Sequence, residues 1–206
     1  INGDQNDSSL PSSGAVYLFR FDGSDWYQQA FIKASNAGLN DHFGVLAIAA
    51  DGNTLAVGAA NEGSGATGVN GDQDDNSTGW AGAVYLFRYE GATWYQQAYI
   101  KASDTQFLDR FGSAVALSAD GNTLAVGAHD GRCSYFPDTY TGCQRGAAYL
   151  FRFDGMNWSE QAKIDDSDEV GHSVSLSADG NTLALGAEGN TDCNLDKCDE
   201  KDEYYR

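Results

Sequence analysis

The chain is poor in proline (2 of 206 residues), methionine (1) and histidine (3), and its 12 Lys and Arg are outnumbered by 30 Asp and Glu. Each shortage excludes something. Few prolines leave strand interiors free to hydrogen-bond. A net charge of −18 excludes a face that grips nucleic acid, because a phosphate backbone would be repelled. It disfavours an anionic membrane surface for the same reason and makes cations the natural small partners. No stretch approaches the ~20 apolar residues of a membrane span, so membrane insertion is not expected. No segment keeps a 3.6-residue apolar period, which predicts almost no helix. There is no GxSxG elbow, and adjoining carboxylates such as Asp165 and Asp166 are too common in an acidic chain to argue for acid–base catalysis. Residue 1 is Ile, which reads as a processed chain or a fragment.

What the chain has is repetition. "ADGNTLAVGA" at 50–59 returns unchanged at 119–128 and as "ADGNTLALGA" at 178–187. "GAVYLFR" stands at 14–20 and 82–88, and "GAAYLFR" at 146–152. "WYQQA" begins at Trp26 and Trp94, and "WSEQA" at Trp158. A period of this size marks an array of similar supersecondary units.

Each unit reads as four short strands. The decapeptide is part of a hairpin around an Asp-Gly-Asn turn, with Gly52, Gly121 and Gly180 free to take positive φ. The "GAVYLF" strand alternates Tyr17, Phe19 and Phe21 with Val16 and Leu18, so both of its faces are apolar and both must be covered. A radial arrangement of four-stranded blades meets that demand, with small "TLAVGA" as the crowded inner strand and the aromatic strands farther out. The expected fold is therefore all-β, a β-propeller-like array. It divides into a loop tail of a preceding repeat (1–13), an outer half-blade (14–35), two blades (41–104 and 109–167), an inner half-blade (170–187) and an acidic tail (188–206). Three blades fall short of the usual minimum of about four. The partners expected are thus adjoining repeats of a longer chain or other copies of this one, closing a wheel or adding head to tail by edge-strand pairing.

The marks "DHFG" (41–44) and "DRFG" (109–112), then "LAVGA", then "GAVYLF" resemble the FG-GAP repeat of integrin α-subunit head domains and their bacterial relatives. The third unit has only "EVGHS" (169–173) and lacks the Phe. The resemblance implies a propeller, usually of seven blades, serving extracellular adhesion or ligand binding. Many integrin repeats also bind calcium in the inner hairpin loop. Here that loop, "ADGNT", carries one carboxylate, and Asp51, Asp120 and Asp179 read as turn formers.

The best oxygen-rich run lies elsewhere, in "NGDQDDN" (70–76). Asn70, Asp72, Asp74 and Asn76 alternate and could surround Ca²⁺, which takes 6–8 oxygens. A solvated acidic loop is the competing reading. Cys133 with Cys143 and Cys193 with Cys198 form two local pairs in matching loops, which reads as two disulfides and an oxidising compartment. Zinc is the weaker alternative, since no CxxC is present. Asn6, Asn76 and Asn157 head N-x-S/T triplets and are glycosylation candidates. Trp26, Trp94 and Trp158 recur in register and read as packing between blades rather than a sugar platform. Trp80, out of register in a glycine-rich loop, is the candidate exposed contact. His42, His129 and His172 occupy different repeat positions, so no shared histidine site is expected.

These features point to an extracellular or cell-surface structural or adhesion protein that is not an enzyme. A glycan- or protein-binding module of a larger secreted protein and a propeller hydrolase or lyase are the alternatives, since fold alone does not assign function.

Overall fold

The computed structural model describes residues 1–129, 146–165 and 170–187. Within them lie four antiparallel sheets and no helix. A two-stranded sheet pairs β1 (Val16–Phe21) with β2 (Trp26–Ile32). A four-stranded sheet follows in chain order: β3 (Phe43–Ile48), β4 (Thr54–Ala59), β5 (Ala83–Glu90) and β6 (Thr93–Ile100). The second four-stranded sheet repeats that order with β7 (Phe111–Leu117), β8 (Thr123–Ala128), β9 (Ala147–Phe153) and β10 (Trp158–Asp165). A last pair joins β11 (Val170–Leu176) to β12 (Leu183–Ala187). These are two complete blades and two half-blades of a propeller-like array.

Side-chain alternation along the strands builds one apolar seam on each face of the first blade. On one side Val16, Ala30 and Ile32 of β1–β2 meet Leu55, Val57, Tyr85 and Phe87. On the other, Ala56, Val84, Leu86 and Ile100 meet Leu124, Val126, Tyr149 and Phe151. Strands β4 and β8 are buried along their whole length because both of their faces are spent in seams. Burying each large side chain contributes about 1.5–3 kcal/mol.

Strand β7 packs against β3 and β4 of the sheet before it, and β11 against β7 and β8. The inner edge of each blade is therefore β3, β7 or β11. The "TLAVGA" strand, expected innermost, is instead second of four. Its small residues serve the neighbouring sheet: a Cβ on Gly58 would stand 2.0 Å from the Gly112 carbonyl oxygen, and one on Gly127 would stand 2.1 Å from that of Gly171. Adjacent blades meet there backbone against backbone, which only glycine allows.

The turns do what their sequence asks. Asp51, Asp120 and Asp179 each accept the N–H of the Asn two residues on, at 2.8, 3.0 and 3.1 Å. At this end the sheets are also joined by main chain: Ala50 N–H donates to Ala119 O (3.1 Å), and Ala119 N–H to Ala178 O (2.9 Å). Side chains repeat the link. Trp94 Nε1 donates to Gln29 Oε1 (3.2 Å) and Trp158 Nε1 to Gln97 Oε1 (3.1 Å), so both tryptophans pack between blades. Arg88 donates to Asn122 Oδ1 (3.1 Å) and Arg152 to Asn181 Oδ1 (3.2 Å).

Candidate functional site

Antiparallel order sends every connection to one of two ends. At one end are tight turns, at 22–25, 49–53, 91–92, 118–122, 154–157 and 177–181. At the other lie the long loops 33–42, 60–82 and 101–110. Divergent residues on a repeated scaffold collect at that second end, where binding residues are expected.

A buried polar knot fastens those three loops together. Lys101 Nζ and Glu62 Oε2 stand 3.0 Å apart, with side chains 0% and 1% exposed. Glu62 Oε1 accepts from Asn36 Nδ2 (3.1 Å) and from the Ser64 N–H (3.1 Å). Asn36 Oδ1 accepts from the Tyr85 hydroxyl (2.5 Å), and Asn36 Nδ2 also donates to Gln73 O (2.7 Å). In the second blade the equivalent Tyr149 hydroxyl donates to Asp104 (2.8 Å), which also accepts from Lys163 (2.9 Å). Burial lowers the Lys101 pKa against the opposing pull of Glu62. Burial, reinforced by the Glu62 charge, drives the Tyr85 and Tyr99 phenols up and keeps them neutral. Asp41 is raised by burial and by Glu62, although the Gly38 N–H opposes the rise.

The knot also shapes the acidic loop. Ser64 Oγ donates to Asp72 O (2.7 Å), and Gly65 N–H to Asp75 Oδ2 (2.9 Å). Asn70, read as a calcium ligand, clamps the outer strand: its N–H donates to Tyr99 O (2.7 Å), and its Oδ1 accepts the Tyr99 N–H (3.0 Å). Asn2 makes the same pair of bonds to Phe31, at 2.6 and 2.9 Å. Asp72 and Asp74 are exposed, with Asp72 Oδ1 capping the Asp74 N–H (3.0 Å), and Asn76 Nδ2 reaches Asp74 O (3.3 Å). Among the described residues no three His, Cys, Asp or Glu side chains gather in an array that could hold a metal. Within 70–76, Asn70 Oδ1 and Asp72 Oδ1 each accept a main-chain N–H that shapes the loop.

Other expected residues are placed as follows. Asn6, Asn76 and Asn157 are exposed. Trp80 is half-buried, with the Arg110 guanidinium 5.5 Å from its ring centre. Cys133, Cys143, Cys193 and Cys198 lie outside the described residues. His129, just past β8, and His172, on β11, have ring centres 4.7 Å apart. Adjacent blades bring together what different repeat positions seemed to separate. Glu62, Lys101 and Asn36 were not singled out from sequence. The available signal was a lysine directly following the apolar "AYI" of β6, where a free charge would not be tolerated.

The paired marks of the repeat also meet in space. Gly82, which opens "GAVYLF", forms a parallel bridge with Phe111 of "DRFG", and a Cβ there would stand 2.2 Å from the Phe111 oxygen. A family model described as FG-GAP repeat matches residues 26–87 and 94–151. The chain belongs to the FG-GAP repeat family. A search of curated proteins finds no match. Among solved structures, this FG-GAP chain is similar to a periplasmic gluconolactonase from Pseudomonas aeruginosa (18% identity, TM-score 0.48, covering 84% of this chain and 43% of that one). It is also similar to TolB from Acinetobacter baumannii (14%, TM-score 0.40, 83% and 31%). Hydrazine synthase from Kuenenia stuttgartiensis is a third (18%, TM-score 0.43, 90% and 44%). The chain thus spans less than half the length of each. Against these comparisons the expectation of a structural or adhesion protein, and of a chain that is not an enzyme, is withdrawn: two of the three structures are named as enzymes. Among the described residues no helix is long and apolar enough to cross a membrane.

Proposed function

We propose that this chain supplies blades to a propeller outside the cytoplasm, and that the propeller takes its ligand at the long-loop end. The observation that carries the reading is the buried Glu62–Lys101 pair. Buried ion pairs are poor sources of net stability, so its value here lies in holding three loops in one arrangement. The surface it holds is acidic, with Asp72 and Asp74 exposed, and favours a ligand bearing positive charge, a metal cation or a basic peptide. The blades that complete the propeller are of the same repeat type. Location outside the cytoplasm is supported by the two local cysteine pairs of the sequence. Alkylation of all 4 cysteines in the denatured, unreduced chain would overturn that part.

Binding calorimetry with calcium chloride and with a lysine-rich peptide tests the site. The double substitution Asp72→Asn/Asp74→Asn weakens binding severalfold, whereas Glu90→Gln, exposed at the turn end, leaves it unchanged. Equal effects from both variants would remove the long-loop end as the site.

A further inference from the structure

The buried knot holds more than an ion pair. Glu62 Oε2 stands 3.0 Å from Lys101 Nζ, and Glu62 Oε1 accepts from Asn36 Nδ2 at 3.1 Å. One carboxylate therefore touches a primary amine and a primary amide at once. The amide is polarised from its other end, where the Tyr85 hydroxyl donates to Asn36 Oδ1 at 2.5 Å. Asn36 is also fixed from a third direction, since its Nδ2 donates to Gln73 O at 2.7 Å. The surroundings are dry: Lys101 and Tyr85 are 0% exposed, and Glu62 is 1% exposed. Burial lowers the Lys101 pKa, which favours the free amine, the nucleophilic form. Burial drives the Tyr85 phenol up, so it stays a proton donor. A nucleophile, a proton carrier, a carbonyl carbon and an oxyanion donor are thus the parts of an acyl transfer.

We propose that Lys101 and Asn36 join in an intramolecular amide bond, with Glu62 as proton carrier and Tyr85 as oxyanion donor; the bond forms independently of any ligand at the loop end. Lys101 first passes a proton to Glu62, exchanging two buried charges for a neutral pair. The amine then turns from Oε2 onto Asn36 Cγ and the Nζ–Cγ bond forms. Negative charge gathers on Oδ1, which already accepts from Tyr85. Glu62 gives its proton to Nδ2 and takes one from Nζ. The Cγ–Nδ2 bond breaks, and ammonia leaves with that second proton as ammonium. An ammonium and a carboxamide have become a secondary amide and free ammonium, and Glu62 ends as the carboxylate it began as. No oxidant, metal or second substrate enters. Asn36 follows β2 and Lys101 follows β6, so the bond ties two neighbouring sheets at the long-loop end.

The second blade shows why the reaction is confined to one place. Asp104 stands three residues past Lys101, as Asn36 stands three past Lys33, and it accepts from the Tyr149 hydroxyl at 2.8 Å. Its amine partner, Lys163, is 2.9 Å away but 32% exposed, and it also pairs with Asp165 at 3.0 Å. Against the opposing effect of burial, the bonds to Asp104 and Asp165 raise the Lys163 pKa. An ammonium beside an ionised carboxylate is neither nucleophile nor electrophile, so that pair stays an ion pair.

Mass spectrometry of the folded, then reduced, 206-residue chain reads the bond directly. The expected mass is that of the sequence less one ammonia. Trypsin is expected to leave residues 34–88 joined to residues 89–110 and uncut at Lys101, because an acylated lysine is not a cleavage site. Lys101→Arg and Glu62→Gln, each with circular dichroism matching the parent, are expected to show the full sequence mass. A folded parent at full sequence mass would overturn the proposal, whatever the variants do. So would a loss of ammonia that persists in Lys101→Arg, which would place it at an Asn-Gly step such as Asn70-Gly71. Joined peptides lighter by one water instead would make Glu62 the acceptor and would overturn it too. The mass readout involves no ligand, so its failure and that of the calorimetric test are distinct.

Discussion

Lys101 Nζ stands 3.0 Å from Glu62 Oε2, and neither side chain reaches solvent. The pair joins residues 39 apart in sequence. Removing one partner strands the other charge away from water. Lys101→Met is therefore expected to cost about 3–5 kcal/mol. The double substitution Glu62→Gln/Lys101→Met is expected to cost less than Lys101→Met alone. Urea unfolding of the three proteins measures both differences.

Glycine at the blade junction gives a sharper contrast. Gly58→Ala brings a Cβ against the Gly112 carbonyl at 2.0 Å, and main chain cannot turn aside. Gly186→Ala meets first the Ser173 hydroxyl, the end of a side chain that can rotate. The first substitution is expected to cost more than about 2 kcal/mol and the second under about 1 kcal/mol. Thermal melts of the two variants beside the parent read both costs.

Trp94 and Trp26 hold the same place in the repeat, but only Trp94 has a neighbouring blade within the chain. Trp94→Phe loses the bond to Gln29 Oε1 and is expected to lower stability by about 1 kcal/mol. Trp26→Phe, at a position 70% exposed, leaves stability unchanged. Denaturant titration of each variant decides this.

The turn carboxylates predict a pH signature. Asp120 is held below its ordinary pKa by the Ser118 hydroxyl and the Asn122 N–H. A depressed folded-state pKa contributes stability that is present above the unfolded value, about 3.9, and lost as pH falls through the folded one. Asp120→Ala is therefore expected to cost under about 1 kcal/mol at pH 7, because the site is exposed. The gap to the parent narrows as the pH drops through the acid range, and chemical melts at a series of pH values follow it.

Much of the fold was legible because it is written in local chemistry. An Asp-Gly-Asn turn, an alternating apolar strand and a recurring tryptophan each act over a few residues, and repetition confirms them. The order of strands within a blade was less legible. Smallness in "TLAVGA" suggested crowding at a hub, whereas Gly58 and Gly127 are small for the backbone of the next sheet. The candidate site was least legible of all. Glu62 and Asn36 lie in loops where the repeat breaks down, and their partnership with Lys101 exists only once two sheets and the loops between them have docked. Asn70 shows the same limit from the other side. Its place in an alternating acidic run suggested a cation ligand, and what the run could not show is that its side-chain oxygen also accepts the Tyr99 N–H.

The main-chain stair from Ala50 to Ala119 to Ala178 has a consequence for what this scaffold tolerates. Blade spacing is set by amide-to-carbonyl bonds at the turn end and by the Gly58–Gly112 and Gly127–Gly171 contacts where the strands meet the long loops, none of which depends on side-chain identity within those loops. Sequence there is free to diverge, or to be exchanged by design, while the angle between successive loops stays constant. Such a chain is suited to presenting interchangeable recognition segments on a frame that does not have to be re-optimised for each one.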